Sequence, residues 1–115
     1  MADVPIDAQW QLIPKSNNRV ALQSGTHMFL RADEEDQSVV NFVPHCRGWE
    51  TWTLQHLGAD KFALLSKHST FLQALPSGVL CQSPTRGEWT VWTRTTLPQG
   101  KFSFKSFHGV LLRVV

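Results

Sequence analysis

The chain has 115 residues and 13.0 kDa, is 42% hydrophobic and 17% charged, and carries a formal charge of +2. That length builds one core, and the composition excludes both a disordered tail and a disulfide-stapled miniprotein, since Cys46 and Cys81 are the only two cysteines. No apolar run reaches membrane-spanning length, and MADVPIDAQW lacks the basic start and apolar stretch of a leader. Residue 2 is alanine rather than a myristoyl-accepting glycine.

The expectation is a cytoplasmic protein with reduced thiols and no transmembrane segment. Basic residues run from Lys15 to Arg113 without forming a block, so DNA is not an expected partner. The one charge block, Asp33 to Asp36, is acidic and reads as a turn.

In chain order, Val4-Pro5-Ile6 is a weak strand candidate and Trp10-Gln11-Leu12 a stronger one. The segments Arg19–Leu30, Lys61–Leu72 and Lys101–Leu112 then align without gaps, at offsets of 42 and 40 residues. Each starts on a base and continues as an alternating pair, Val20/Leu22, Phe62/Leu64 and Phe102/Phe104. Each has a serine in one place (Ser24, Ser66, Ser106) and a leucine six residues on (Leu30, Leu72, Leu112). Trp10, Trp52 and Trp92 obey the same offsets.

The period within a repeat is two, which means strands, with Ala21 and Ala63 expected to face outward. The polar stretches after the alternating pairs predict hairpins to a second strand ending at the repeated leucine. A third strand is expected at Val39–Phe42 and at Val79–Cys81, and a fourth at each tryptophan cluster. Trp49 and Trp89 are expected on the strand face opposite Trp52 and Trp92. Gly58-Ala59-Asp60 breaks the best helical candidate, residues 54–65. The third repeat stops after two strands, and the N-terminal segment supplies the remainder.

The expected fold class is therefore all-β, a single domain over residues 1–115 made of three pseudo-repeats of four strands. The units are 19–60, 61–100, and 101–115 plus 1–18. Closing the third repeat with the N-terminal strand removes open sheet edges.

This arrangement resembles the β-trefoil. The runs RVALQSGTHMFLRAD, KFALLSKHSTFLQA and WETWTL are similar to the fascin and hisactophilin superfamily of actin-binding trefoils. That family writes Tyr-Leu where this chain has Phe29-Leu30, Phe71-Leu72 and Leu111-Leu112. The motifs are core residues, so the likeness is specific for fold and weak for function. It implies a non-catalytic module that binds or crosslinks filamentous actin, cytoskeleton-associated, as a monomer or weak homodimer. The basic residues on predicted loops, Arg47, Lys67, Arg86 and Lys105, are the expected actin contacts.

The alternative is a carbohydrate or glycosaminoglycan-binding lectin that stacks sugars on Trp49 or Trp89. The Gln-x-Trp of ricin-type lectins is absent, because Gln9-Trp10 lacks the spacer. A module recognising a protein or RNA partner through its loops is a third possibility.

His68 and His108 fall at equivalent hairpin tips, with His27 displaced by one and His45 and His56 elsewhere. In hisactophilin-like proteins such loops are crowded with histidine, and here five histidines are too few for a strong pH switch. No His-x-x-His or Cys-x-x-Cys spacing suggests a metal, and no cofactor is expected. The serines recur in threes as turn residues do, no Gly-x-Ser-x-Gly occurs, and no carboxylate pair stands out, so no catalytic residue is expected. Cys46 reads as a loop thiol and Cys81 as a small buried hydrophobe.

Overall fold

The computed structural model describes residues 4–33, 40–46 and 48–114. Its strands are β1 (Trp10–Pro14), β2 (Val20–Ser24), β3 (Phe29–Ala32), β4 (Val40–Val43), β5 (Thr51–Gly58), β6 (Lys61–Ser66), β7 (Phe71–Ala74), β8 (Leu80–Ser83), β9 (Trp92–Thr96) and β10 (Phe102–Lys105). Antiparallel pairings β1–β2, β2–β5, β5–β6, β6–β9, β9–β10 and β10–β1 return to their start, which makes a closed six-stranded barrel. The hairpin strands β3–β4 and β7–β8 extend from β2 and β6. This is the expected β-trefoil.

Two of the expected strands do not form in the third repeat. Its second strand is reduced to a single bridge, Lys105 to Leu111. Val4-Pro5-Ile6 stays out of the sheet, and a 3-10 turn follows at Ile6–Ala8. Pro5 has no N–H to give a ladder, which disfavours a strand there. Equivalent 3-10 turns, Gly48–Glu50 and Glu88–Thr90, precede β5 and β9. Trp49 and Trp89 therefore sit on turns, not on the strand faces expected of them. The third strand of the second repeat begins one residue later than read, because Val79 precedes β8; Val39 lies outside the described residues.

The core is threefold in chemistry as well as position. Trp10, Trp52 and Trp92 are at most 1% exposed, packed with Leu30, Leu72 and Leu112. Each indole N–H donates to the carbonyl of one of those leucines: Trp10 to Leu112 at 2.9 Å, Trp52 to Leu30 at 3.0 Å, Trp92 to Leu72 at 3.1 Å. A buried indole needs such an acceptor, and the bond ties each barrel strand to a neighbouring hairpin.

Ala21 and Ala63 are fully buried, contrary to the outward orientation expected of them. Both lie on strands flanked by two neighbours, so the position selects for smallness, and its third equivalent is buried Ser103. Cys81 is only half-buried, not enclosed.

The repeated serines hold the hairpin tips. Ser24 Oγ accepts from the backbone N–H of Thr26 and Met28, Ser66 Oγ from His68 and Thr70, and Ser106 Oγ from His108 and Val110. Each tip turns through a left-handed residue three positions on, His27, Ser69 or Gly109. His27 occupies that turning position, which accounts for its displacement from His68 and His108.

Candidate functional site

Where a 3-10 turn meets a hairpin tip, the fold makes the same corner three times. The facing pairs are Ile6 with Gly25, Gly48 with Lys67, and Glu88 with Phe107. In the first pair a methyl on Gly25 would collide with Ile6, so the corner is filled. In the second the roles reverse. Gly48 leaves space that the Lys67 side chain crosses, and a Cβ there would stand 2.6 Å from Lys67 Nζ. The third is apolar and acidic, with Phe107 53% exposed.

The Gly48–Lys67 corner opens onto a groove of about 450 Å³, walled by Lys15, Arg19, Lys67, Cys46 and Thr51. Among the described residues that line it, three are cations and none is a carboxylate. The turn between β1 and β2 brings in Lys15 and Arg19, whose backbones are joined by a 2.8 Å hydrogen bond. The tip between β6 and β7 brings in Lys67 from a distant part of the chain. Burial pushes the Cys46 thiol above the usual thiol range, with nearby Lys15 acting against that shift and the Glu50 carboxylate adding to it.

A smaller hollow of about 260 Å³ lies beside this groove and shares Gly48 and Lys67 with it. Its other cation, Arg31, is already engaged, 3.7 Å from the buried carboxylate of Glu50 and 4.6 Å above the Trp49 ring. Glu88 and Phe107 line a separate groove of about 500 Å³ together with Lys61, Thr93 and Lys105.

The three described residues among the four expected actin contacts are therefore not one cluster. Lys67 belongs to the cationic groove and Lys105 to the Glu88–Phe107 groove. Arg86 is exposed, donating to Gln55 Oε1 at 3.1 Å. Arg47 lies outside the described residues, as do residues 34–36 of the acidic block. Lys15 and Arg19 were not among the expected residues. A signal for Lys15 existed: offsets of 42 and 40 set it against Leu57 and Leu97, a break in symmetry legible in the sequence, whereas Arg19 has basic mates in Lys61 and Lys101 and gave none.

The two turn tryptophans also differ. Trp49 is half-buried under Arg31 and meets the His68 ring edge-on at 5.8 Å. Trp89 is 38% exposed and meets His108 edge-on at 4.9 Å, while Phe107 meets the same imidazole at 5.4 Å. His68 Nε2 is 3.1 Å from the Ala32 carbonyl. Among the described residues, no three His, Cys, Asp or Glu side chains gather as metal ligands, and no helix is long and apolar enough to cross a membrane.

No protein-family model matches the chain, and no curated protein does. Among solved structures, a designed threefold-symmetric protein, ThreeFoil, is similar, with a TM-score of 0.63 and 17% identity over 90% of this chain and 75% of that one. At that identity the likeness speaks for the threefold trefoil architecture alone.

Proposed function

We propose that this protein is a non-catalytic binding module that docks an acidic protein surface through the Lys15–Arg19–Lys67 groove. Filamentous actin is the partner implied by the fascin-like resemblance, which would make the protein cytoplasmic and cytoskeleton-associated. The observation that carries this reading is the symmetry break: of three equivalent corners, one opens onto a groove whose described lining holds three cations and no carboxylate, the nearby Glu50 being paired with Arg31. Each exposed ion pair adds no more than about 1 kcal/mol, so recognition needs several together and weakens as salt screens them. One groove gives one contact, so the isolated domain binds filaments, and bundling requires self-association.

Co-sedimentation with filamentous actin tests this. Wild-type protein is expected to pellet at micromolar concentration in low salt and less at moderate salt. Lys67→Glu combined with Arg19→Glu should lower pelleting at least tenfold with the melting temperature unchanged. Absence of wild-type pelleting, or full pelleting by the double variant, overturns the reading.

A second reading is favoured by the exposed corner where Trp89 and Phe107 flank His108, beside Glu88 and Lys105. Aromatic faces next to hydrogen-bonding groups suit a sugar ring. This narrows the lectin alternative from two tryptophans to Trp89. A glycan array probed with wild type and Trp89→Ala decides it: signals lost in the variant support the sugar site, and a blank wild-type array removes it.

A further inference from the structure

The inward-facing positions near one end of the barrel carry a second break in symmetry. Leu12 and Leu54 are threefold mates, partly buried against the core, and their third mate is Arg94. Arg94 shares the inward face of β9 with buried Trp92 and stands opposite buried Phe104 on β10. Its guanidinium carbon lies 4.4 Å from the Phe62 ring centroid and 4.7 Å from that of Phe102, so neighbouring strands on both sides offer it an aromatic face. Phe62 is in turn stacked by His56 at 4.9 Å.

The Arg94 side chain has no salt bridge or hydrogen bond among the described residues. Its backbone N–H is occupied by the Asp60 carbonyl at 2.8 Å. A guanidinium held by ring faces keeps its in-plane N–H donors available, and that edge matches the oxygens of a tetrahedral oxyanion.

The surroundings favour an anion. The turns rimming this end, residues 15–19, 58–61 and 97–101, carry Lys15, Arg19, Lys61 and Lys101 against one carboxylate, Asp60. Lys61 and Lys101 reach outward, to Thr93 Oγ1 at 2.6 Å and Gln11 Oε1 at 3.5 Å, so they contribute field rather than direct contact. A leucine at this position would complete the apolar layer formed by its mates. The arginine forgoes that burial and gains a donor edge.

We infer that the barrel mouth is a phosphate-binding site in which Arg94, stacked between Phe62 and Phe102, receives the oxyanion in its guanidinium plane. The site shares the rim cations Lys15 and Arg19 with the actin-docking groove, but its receiving residue is Arg94 and it does not depend on that reading. The probe is pyrophosphate, read by thermal unfolding and isothermal titration calorimetry against sodium chloride of matched ionic strength. Saturating pyrophosphate should raise the wild-type melting temperature by roughly 4 °C or more beyond chloride.

Arg94→Leu, which restores the threefold leucine, should melt at or above the wild-type temperature without ligand and lose the pyrophosphate response. Arg94→Lys keeps the charge and lacks the planar fork, and should bind at least tenfold more weakly. An equal response in wild type and Arg94→Leu would assign the effect to the rim lysines and overturn the proposal. So would a wild-type response no larger than chloride gives, or undiminished binding by Arg94→Lys.

Discussion

Residues of one type do different work here according to whether the barrel encloses them. Trp52 is fully buried and its indole N–H satisfies the Leu30 carbonyl, whereas Trp89 is 38% exposed. Trp52→Phe removes that donor and leaves a void, so it should cost about 2–4 kcal/mol. Trp89→Ala should cost less than about 1 kcal/mol. Urea unfolding with unchanged slopes measures both, and similar losses for the pair would refute the distinction.

Ser66 is the second residue-scale case. Its Oγ accepts two tip N–H groups and shares a 2.6 Å bond with Thr70 Oγ1 in a buried setting. Ser66→Ala should therefore cost about 1–2 kcal/mol in the same assay.

Both thiols are pushed above the usual range, chiefly by burial; for Cys81 a hydrogen bond from Gln73 acts in the opposite direction. Because the folded values are raised, the protonated form is the one the fold favours. Any stabilisation from this source is complete below the unfolded pKa and is lost as pH rises through the folded pKa, in the alkaline range. Alkylation at neutral pH should accordingly be slower than for a free thiol and accelerate on unfolding. Equal rates in folded and unfolded protein would count against it.

At the scale of elements, the turn-and-tip corner is one backbone device with three fillings. Gly25→Ala drives a methyl into Ile6 side chain and backbone, and should destabilise by about 1–3 kcal/mol. Gly48→Ala meets the far end of a flexible lysine instead, so it should leave stability nearly unchanged while displacing Lys67 and weakening filament binding. Gly87→Ala enters open space and serves as the control. Melting temperatures and co-sedimentation of the three variants check this ordering. A large stability loss in Gly48→Ala would mean that Lys67 is not free to yield.

The hairpins show where local pattern reaches its limit. The first two repeats complete theirs as β3–β4 and β7–β8, while the third has the same serine-held tip and only one bridge beyond it. Alternating sequence predicts a strand only where a partner supplies ladder bonds. At the repeat offsets residues 4–6 fall level with residues 86–88, the lead-in to a 3-10 turn and not hairpin strand β8, and Pro5 has no N–H to give a ladder.

Across the whole molecule, barrel closure gives six strands a partner on each side and delivers the three tryptophans to one interior. Much of this was legible beforehand. The offsets of 42 and 40 place Trp10, Trp52 and Trp92, the serines and the leucines in register, because core and turn positions obey local periodicity and recur with each repeat. The all-β class, the threefold repeat and the candidate core were determined by sequence alone.

Where the charges meet was not. Lys67 and Lys105 look alike along the chain yet line different grooves, while Lys67 joins Lys15 and Arg19 across the repeat boundary. Arg94 reads as one more strand cation until β6 and β10 bring a phenylalanine to each side of it. Burial acts on every repeat alike and therefore leaves a periodic trace. Apart from the basic residue that opens each repeat, the surface charges face solvent and carry no threefold period, so their neighbours are chosen only when the strands pair and the barrel closes.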